Sequence, residues 1–133
     1  MMTITHHAEC CYAHRLLSPI SNLHGHTGRV GVTCRSDGDS PDVDDLAATT
    51  AMILHKLDHR VILEHGDPLI KVLTFGAEVV VLGGPPTAER IAEYIGTRLA
   101  KFLPVTNVTV NTTEHITATW RPEGDTDSRE SRR

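Results

Sequence analysis

The chain has 133 residues, of which 39% are hydrophobic and 23% charged, a composition typical of one folded domain rather than of a disordered chain. Its formal charge of −4 and the lack of a basic stretch before the last residues argue against nucleic-acid binding. No segment approaches the roughly 18 consecutive apolar residues of a membrane span, and the first residues do not resemble a signal peptide, so we expect a cytoplasmic protein that makes no membrane contact.

Two β-strands are predicted within the first 35 residues. Residues 3–14 combine threonine, histidine and cysteine in a β-compatible alternation, and residues 28–35 alternate apolar and polar side chains. The chain has three cysteines, an odd number that includes the adjacent pair Cys10 and Cys11. This pattern does not suit a disulfide framework, so we expect reduced thiols.

Three of the nine histidines lie at the end of the first predicted strand or just before the second. His24 and His26 are separated only by Gly25, and side chains two residues apart in an extended chain point to the same side. If His14 lies on a neighbouring strand, the three imidazoles can share one metal ion and leave its fourth position open, as in catalytic zinc sites. The alternative is that His24 and His26 belong to a polar turn between two strands, because short histidine motifs also occur by chance.

Two amphipathic helices are predicted after these strands. The first follows a polar turn at residues 36–41 and carries an apolar stripe at helical spacing, formed by Leu46, Thr50, Ile53 and Leu57. The second begins at Thr87, a suitable N-cap with Glu89 in the first turn, and ends before Pro104. Its predicted buried face consists of Ile91, Ile95, Leu99 and Phe102.

The remaining segments complete an α+β domain. Residues 77–82 form a short apolar run that can be an extra strand, and residues 105–113 and 115–120 alternate well enough to form a strand pair. The order predicts helices on one face of an antiparallel sheet over residues 1–121, and the open edges of such a small sheet favour a homo-oligomer. Residues 122–133 are polar and without periodicity, which predicts a disordered tail.

Four segments, in this order, resemble the family of the 6-pyruvoyltetrahydropterin and 6-carboxytetrahydropterin synthases. They are Tyr12-Ala13-His14-Arg15-Leu16, Leu23-His24-Gly25-His26, Leu57-Asp58-His59 and Pro86-Thr87-Ala88-Glu89. The resemblance extends from about residue 8 to residue 121. It implies a tunnelling fold, in which each subunit contributes a four-stranded antiparallel sheet with two helices on one face. Subunits would join their sheet edges into a barrel, as a hexamer of two stacked trimers or as a trimer.

The resemblance also implies a chemistry. Zn²⁺ held by His14, His24 and His26 would bind the side-chain oxygens of a small-molecule substrate, with no redox cofactor. His59, oriented by Asp58, would transfer protons. Family members act on 7,8-dihydroneopterin triphosphate, whose side chain is isomerised before elimination or carbon–carbon cleavage.

Two positions depart from the family pattern. Members that act on dihydroneopterin triphosphate usually carry a catalytic cysteine four residues before the first histidine of the His-Gly-His motif, where this chain has Ile20. We expect Ile20 to be a buried alkyl group. Members also carry a pterin-binding glutamate eight residues before a C-terminal aromatic residue; counted back from Trp120, that position is Thr112, and the nearest acid is Glu114. Both departures predict a substrate other than the usual pterin.

The sequence therefore predicts a zinc-dependent lyase or isomerase of this family that acts on a hydroxy-carbonyl small molecule with His59 as its single base. Cys10, which shares the strand face of His14, can replace the missing thiol or can simply pack in the core. A first alternative is an orthodox 6-carboxy- or 6-pyruvoyl-tetrahydropterin synthase in which Cys10 or Cys11 and Glu114 replace the missing groups. A second is a non-catalytic, zinc-stabilised binding module.

Overall fold

The computed structural model describes residues 2–36, 42–73, 78–112 and 115–124, and these form six strands and three helices. The elements in chain order are β1 (Thr3–His14), β2 (His24–Arg35), α1 (Val43–Leu54), β3 (Arg60–Glu64), α2 (Leu69–Leu73), β4 (Val79–Leu82), α3 (Ala88–Leu99), β5 (Val105–Asn111) and β6 (Thr117–Trp120). No helix among these residues is long and apolar enough to cross a membrane.

The six strands form one mixed sheet in the order β4-β3-β1-β2-β5-β6. The pairs β1–β2, β2–β5 and β5–β6 are antiparallel, whereas β1–β3 and β3–β4 are parallel. The α+β class is confirmed, but the prediction of a four-stranded antiparallel sheet with two helices is wrong. Of the two additional strands, β4 matches the extra strand indicated at residues 77–82, whereas β3 was not predicted. β3 is a short run that lacks alternation and follows an apolar helix, so its pattern cannot be told from the end of that helix.

The long β1–β2 hairpin provides the framework of the molecule. Its cross-strand partners lie on the same face of the sheet, and one face packs against the helices. That packed face contributes Cys10, Tyr12, Val30, Val32 and Cys34 to the main hydrophobic core. The opposite face carries polar side chains, such as the exposed, paired residues Glu9 and Arg29.

Both predicted helices begin at a capping side chain. Asp42 accepts a hydrogen bond from the Asp44 N–H at the start of α1, and Thr87 accepts one from the Arg90 N–H at the start of α3. The predicted buried stripes are confirmed, with one exception. Phe102 is 63% exposed, because α3 ends at Leu99 and Phe102 lies in the turn that follows.

The C-terminal strand pair is confirmed with narrower bounds, Val105–Asn111 and Thr117–Trp120. Residues 113 and 114, between these strands, lie outside the described part of the chain. The predicted disordered tail spans residues 122–133, of which those from 125 onwards also lie outside the described part of the chain.

A glycine in α3 allows this strand pair to approach the helix. A Cβ atom added at Gly96 would collide with the indole ring of Trp120, whereas a Cβ at the exposed Gly83 would meet no atom within 4 Å. We expect Gly96→Ala to lower the free energy of unfolding by about 1–2 kcal/mol, because overpacking outweighs the helix propensity gained. Gly83→Ala is the control and should change it by less than about 0.5 kcal/mol. Chemical denaturation of both variants tests this, and a Gly96→Ala protein as stable as the parent would contradict it.

Candidate metal centre and acid/base pair

The end of β1 and the start of β2 bring His14, His24 and His26 together. His14 pairs with His24 and Tyr12 pairs with His26 across the hairpin, so all three imidazoles lie on the face that packs against the helices. One ring nitrogen from each histidine lies within 4.8 Å of the others, and the Nε2 atoms of His14 and His24 are 3.2 Å apart. This is a cluster of three nitrogen ligands that can hold one metal ion.

Hydrogen bonds from the backbone set the orientation of two of these rings. His14 Nδ1 lies 2.7 Å from the Pro86 carbonyl oxygen, and His24 Nδ1 lies 2.7 Å from that of Asn22. A carbonyl oxygen only accepts, so each Nδ1 carries a proton, and in the neutral ring this tautomer leaves a lone pair on Nε2. Metal-binding histidines are held by the same kind of outer contact.

The pKa shifts of His14 and His26 also suit a metal. Burial lowers the pKa of His14, and the neighbouring His26 and His24 lower it further, against the opposing effect of the Pro86 hydrogen bond. Burial and then His24 lower the pKa of His26. Neutral imidazole is the form that coordinates a metal, and three such ligands with an open fourth position are typical of catalytic zinc. The donor set therefore fits Zn²⁺.

Asp58 and His59 follow α1 and are fixed to β1 by a single residue, Cys11. The Cys11 N–H donates to Asp58 Oδ1 at 2.8 Å, and the Cys11 carbonyl accepts from the His59 N–H at 2.6 Å. The second Asp58 oxygen, Oδ2, lies 3.1 Å from His59 Nδ1. The imidazole is thus oriented by a carboxylate, yet its side chain is 77% exposed. This arrangement suits proton transfer to and from a bound molecule.

The backbone of His59 is unusual. Its φ angle is +59°, in the left-handed region, and among the described residues it is the only one other than glycine with positive φ. This conformation costs a side-chain-bearing residue roughly 1–2 kcal/mol relative to the ordinary one. Such strain is often found at functional sites.

One open cavity is lined by a residue of each group, His26 and His59. It has a volume of about 490 Å³, and Cys11, Thr27 and His59 line it together with the candidate ligand His26. Among the described residues His59 makes no hydrogen bond to His14, His24 or His26. Among the described residues, the cavity is lined by His26 but not by His14 or His24.

The two cysteines of β1 have different environments. Cys10 is 2% exposed, and burial, followed by the nearby Asp58 and Cys11, raises the pKa of its thiol to about 12. A protonated thiol within the core disfavours the role in catalysis that the sequence allowed for Cys10. Cys11 is half-buried, with its sulfur 3.7 Å from the Thr27 hydroxyl, and it lines the cavity beside His59.

Of the three residues at the departures from the family pattern, one is exposed, one is half-buried and one lies outside the described chain. Ile20 is 70% exposed, so the prediction that it is buried is wrong. It belongs to the 16–22 loop, where Ser21 closes a tight turn by bonding the Leu16 backbone. Thr112 is half-buried just after β5, and Glu114 lies outside the described residues.

An ion pair beside His14, between Arg15 and Asp67, was not predicted from the sequence. Arg15 binds Asp67 through two hydrogen bonds, from Nε at 2.9 Å and from Nη2 at 2.6 Å. The Asp67 side chain is fully buried and also accepts the Leu69 N–H at the start of α2. The pair therefore ties the end of β1 to the turn after β3. An Asp-Pro dipeptide, a common start of a turn, was the one local signal for Asp67.

The chain matches a known protein family over most of its length. A sequence model of the family described as 6-pyruvoyl tetrahydropterin synthase matches residues 3–123. Over 106 residues the chain is 37% identical to a protein of Halobacterium salinarum named as a probable 6-carboxy-5,6,7,8-tetrahydropterin synthase. The aligned region spans 74% of this chain and 70% of that protein.

Two solved structures have the same fold at lower sequence identity. An uncharacterized protein of Wolinella succinogenes superposes with a TM-score of 0.74 at 22% identity, covering 90% of this chain and 97% of its own. The 6-pyruvoyl tetrahydropterin synthase of Caenorhabditis elegans superposes with a TM-score of 0.65 at 20% identity, covering 91% and 95%. From the sequence match over residues 3–123 and the curated relative, we conclude that this chain belongs to the 6-pyruvoyl tetrahydropterin synthase family.

Proposed function

We propose that this protein is a zinc-dependent enzyme of the lyase or isomerase type that acts on a hydroxy-carbonyl small molecule. The observation that carries the proposal is the cluster of His14, His24 and His26, whose ring nitrogens lie within 4.8 Å of one another. Its relatives are tetrahydropterin synthases, which supports lyase chemistry. The cavity shared by His26 and His59 supports an acid/base group acting beside the metal.

His59, Asp58 and Cys11 have different roles in the proposed reaction. His14, His24 and His26 would hold the zinc, which would supply a Lewis acid for substrate oxygens and so make an adjacent proton more acidic. His59 removes that proton through Nε2 and returns it to a neighbouring atom, since its Nδ1 faces Asp58. Asp58 stabilises the imidazolium formed on His59, and the Cys11 peptide holds both residues in register. One base is sufficient for such a proton shift.

We further propose that the substrate is not 7,8-dihydroneopterin triphosphate. The exposed alkyl chain of Ile20 can neither donate nor accept a proton. Thr112 lacks the carboxylate that pairs with the guanidine-like edge of a pterin, a type of contact whose loss costs several kcal/mol of binding, roughly 2–5. Both positions therefore favour a substrate of different shape with similar vicinal oxygens.

The orthodox synthase is the second candidate function, and Cys11 is the observation that favours it. Cys11 is half-buried and lines the cavity beside His59, where its thiol could replace the catalytic cysteine that is absent at position 20. The curated relative, at 37% identity, is named as a synthase of this kind.

We also propose a homo-oligomer in which the free edges of the sheet pair with those of other copies, as a hexamer or a trimer. The sheet ends at β4 and β6. Val81 on β4 and Ile116 before β6 are exposed apolar side chains at these edges, and unpaired edges of this kind favour pairing with another chain.

The first part of the test is the metal content. We expect about one zinc per chain by mass spectrometry after reconstitution and dialysis, and loss of this zinc in His26→Ala. His55→Ala is the matched control, since His55 is an exposed histidine that caps the end of α1. A parent protein that retains no zinc, or a His26→Ala variant that retains all of it, would overturn the proposed centre.

The second part separates the candidate functions. The zinc protein is incubated with 7,8-dihydroneopterin triphosphate, and triphosphate release is followed; we expect none. Zinc-dependent release would establish the orthodox synthase instead. In parallel, a panel of α-hydroxy-carbonyl compounds is incubated in D₂O, and proton NMR should detect carbon–hydrogen exchange that His59→Ala abolishes. Bound zinc without exchange or release would favour the non-catalytic binding module.

A further inference from the structure

We propose that Thr87 is a positioning residue of the metal centre: by capping α3 it holds the Pro86 carbonyl in the direction that fixes the tautomer and orientation of His14. The inference rests on the proposed function, because His14 is a candidate ligand there. Thr87 itself is assigned only to the helix cap by the sequence, and it does not bond to any of the three histidines.

The link begins at the His14 ring. His14 Nδ1 donates to the Pro86 carbonyl at 2.7 Å in a buried environment, across a separation of 72 residues in the sequence. His14 is 7% exposed, so water has little access to replace this acceptor. Loss of the hydrogen bond would let the proton move to Nε2, the atom that faces His24 Nε2 at 3.2 Å.

The direction of the Pro86 carbonyl is in turn set by the start of α3. The Thr87 N–H donates to the Pro85 carbonyl at 2.8 Å, and the Thr87 carbonyl accepts the Ile91 N–H at 3.0 Å. The Thr87 hydroxyl accepts the Arg90 N–H at 3.3 Å. These hydrogen bonds therefore restrict rotation of the peptide group between Pro86 and Thr87. The rings of Pro85 and Pro86 also fix the φ angles of the two residues before Thr87. Without the cap, the first turn of α3 can fray and the carbonyl can rotate.

The other capped helix offers a matched comparison. Asp42 caps α1 by accepting the Asp44 N–H at 3.0 Å, which is the same kind of bond at a helix of the same length. The three candidate ligands have no hydrogen bond to the start of α1 among the described residues. Removal of the Asp42 cap should therefore destabilise the fold without disturbing His14.

The experiment compares Thr87→Val, Thr87→Ser and Asp42→Ala. Valine keeps the shape of threonine without the hydroxyl, whereas serine keeps the cap. Zinc affinity is measured by chelator competition, and the protonation of the ring nitrogens of His14 by ¹⁵N NMR of the metal-free protein. We expect Thr87→Val to bind zinc about tenfold more weakly, the lower end of the effect of losing an outer contact to a metal ligand, and to populate both His14 tautomers.

Thr87→Ser should keep the affinity within about threefold of the parent and a single tautomer, because its hydroxyl restores the cap. Asp42→Ala should lose stability in denaturant with zinc affinity unchanged.

The inference is overturned if Thr87→Val keeps the parent affinity and tautomer, or if Asp42→Ala weakens zinc binding equally. Should Thr87→Val not fold, Thr87→Ala, which removes the same hydroxyl without a β-branched side chain, is expected to show the same loss, and an unchanged affinity and tautomer there overturn the inference. A parent protein that binds no zinc defeats the proposed centre itself.

Discussion

Replacement of His59 by glycine is expected to yield a more stable protein than replacement by alanine, while both variants lose activity. His59 has a φ angle of +59°, which glycine adopts without strain and alanine does not. The glycine variant should therefore exceed the alanine variant by about 1 kcal/mol in free energy of unfolding. Both lack the imidazole, so hydrogen exchange into a hydroxy-carbonyl substrate should fall by about 10²- to 10⁴-fold in each.

His55 is the matched control for this order of stability. His55 is an exposed histidine at the C-terminal end of α1, with the right-handed angles φ −55° and ψ −29°. There the glycine variant should be less stable than the alanine variant by about 0.4–1 kcal/mol, because alanine fits these angles and restricts the unfolded chain more, and neither variant should change activity. Denaturation curves of the four variants and their exchange rates complete the test. The same order of stability at both positions, or an active His59→Gly protein, would contradict the role assigned to this residue.

The second large effect is expected at the buried ion pair. Asp67→Asn removes the charge that faces Arg15 but keeps an oxygen for the Leu69 N–H. Because the Asp67 side chain is fully buried, we expect a loss of about 2–3 kcal/mol in free energy of unfolding. The control is Glu78→Gln, which breaks the pair between Arg60 and the exposed Glu78 and should cost less than about 1 kcal/mol.

The pH dependence provides an independent check of the same pair. The hydrogen bonds from Arg15, and to a lesser degree that from the Leu69 N–H, lower the pKa of Asp67 from its ordinary value of 3.8, against the effect of burial. A lowered pKa in the folded state stabilises the protein above the ordinary value, and this contribution is lost as the pH falls through the lowered one. The stability difference between parent and Asp67→Asn should thus be constant above about pH 5 and shrink below pH 4. A difference that persists unchanged at low pH would contradict the ion pair.

Much of the fold could be predicted from local pattern. The strand predicted over residues 3–14 matches β1 because its alternation is regular, and the stripes of α1 and α3 place their buried residues correctly. The predicted first helix extends too far towards the C-terminus, because Leu57 is buried and continues the helical spacing. The observed helix α1 ends at Leu54. β3 lies between two parallel neighbours, where strands tend to be continuously apolar and lose the alternation that identifies them.

The candidate site was predictable only where its contacts are local. His14, His24 and His26 meet because one hairpin and a spacing of two residues bring them together. The contacts that orient and support them join residues that are far apart in the chain. Pro86 is 72 residues from His14, and Asp67 is 52 residues from Arg15, so these partners depend on how α3 and the turn before α2 pack.

The origin of the three imidazoles in one hairpin has a thermodynamic consequence. Residues 14 and 26 are joined by a short connection, so an unfolded chain can bring these side chains together at a modest loop-closure entropy. Metal binding to the denatured state then competes with binding to the native state, and only the difference in affinity contributes to stability. Zinc would raise the unfolding midpoint by less than its native-state affinity alone implies, and the shortfall would measure how much of the coordination geometry depends on the rest of the fold.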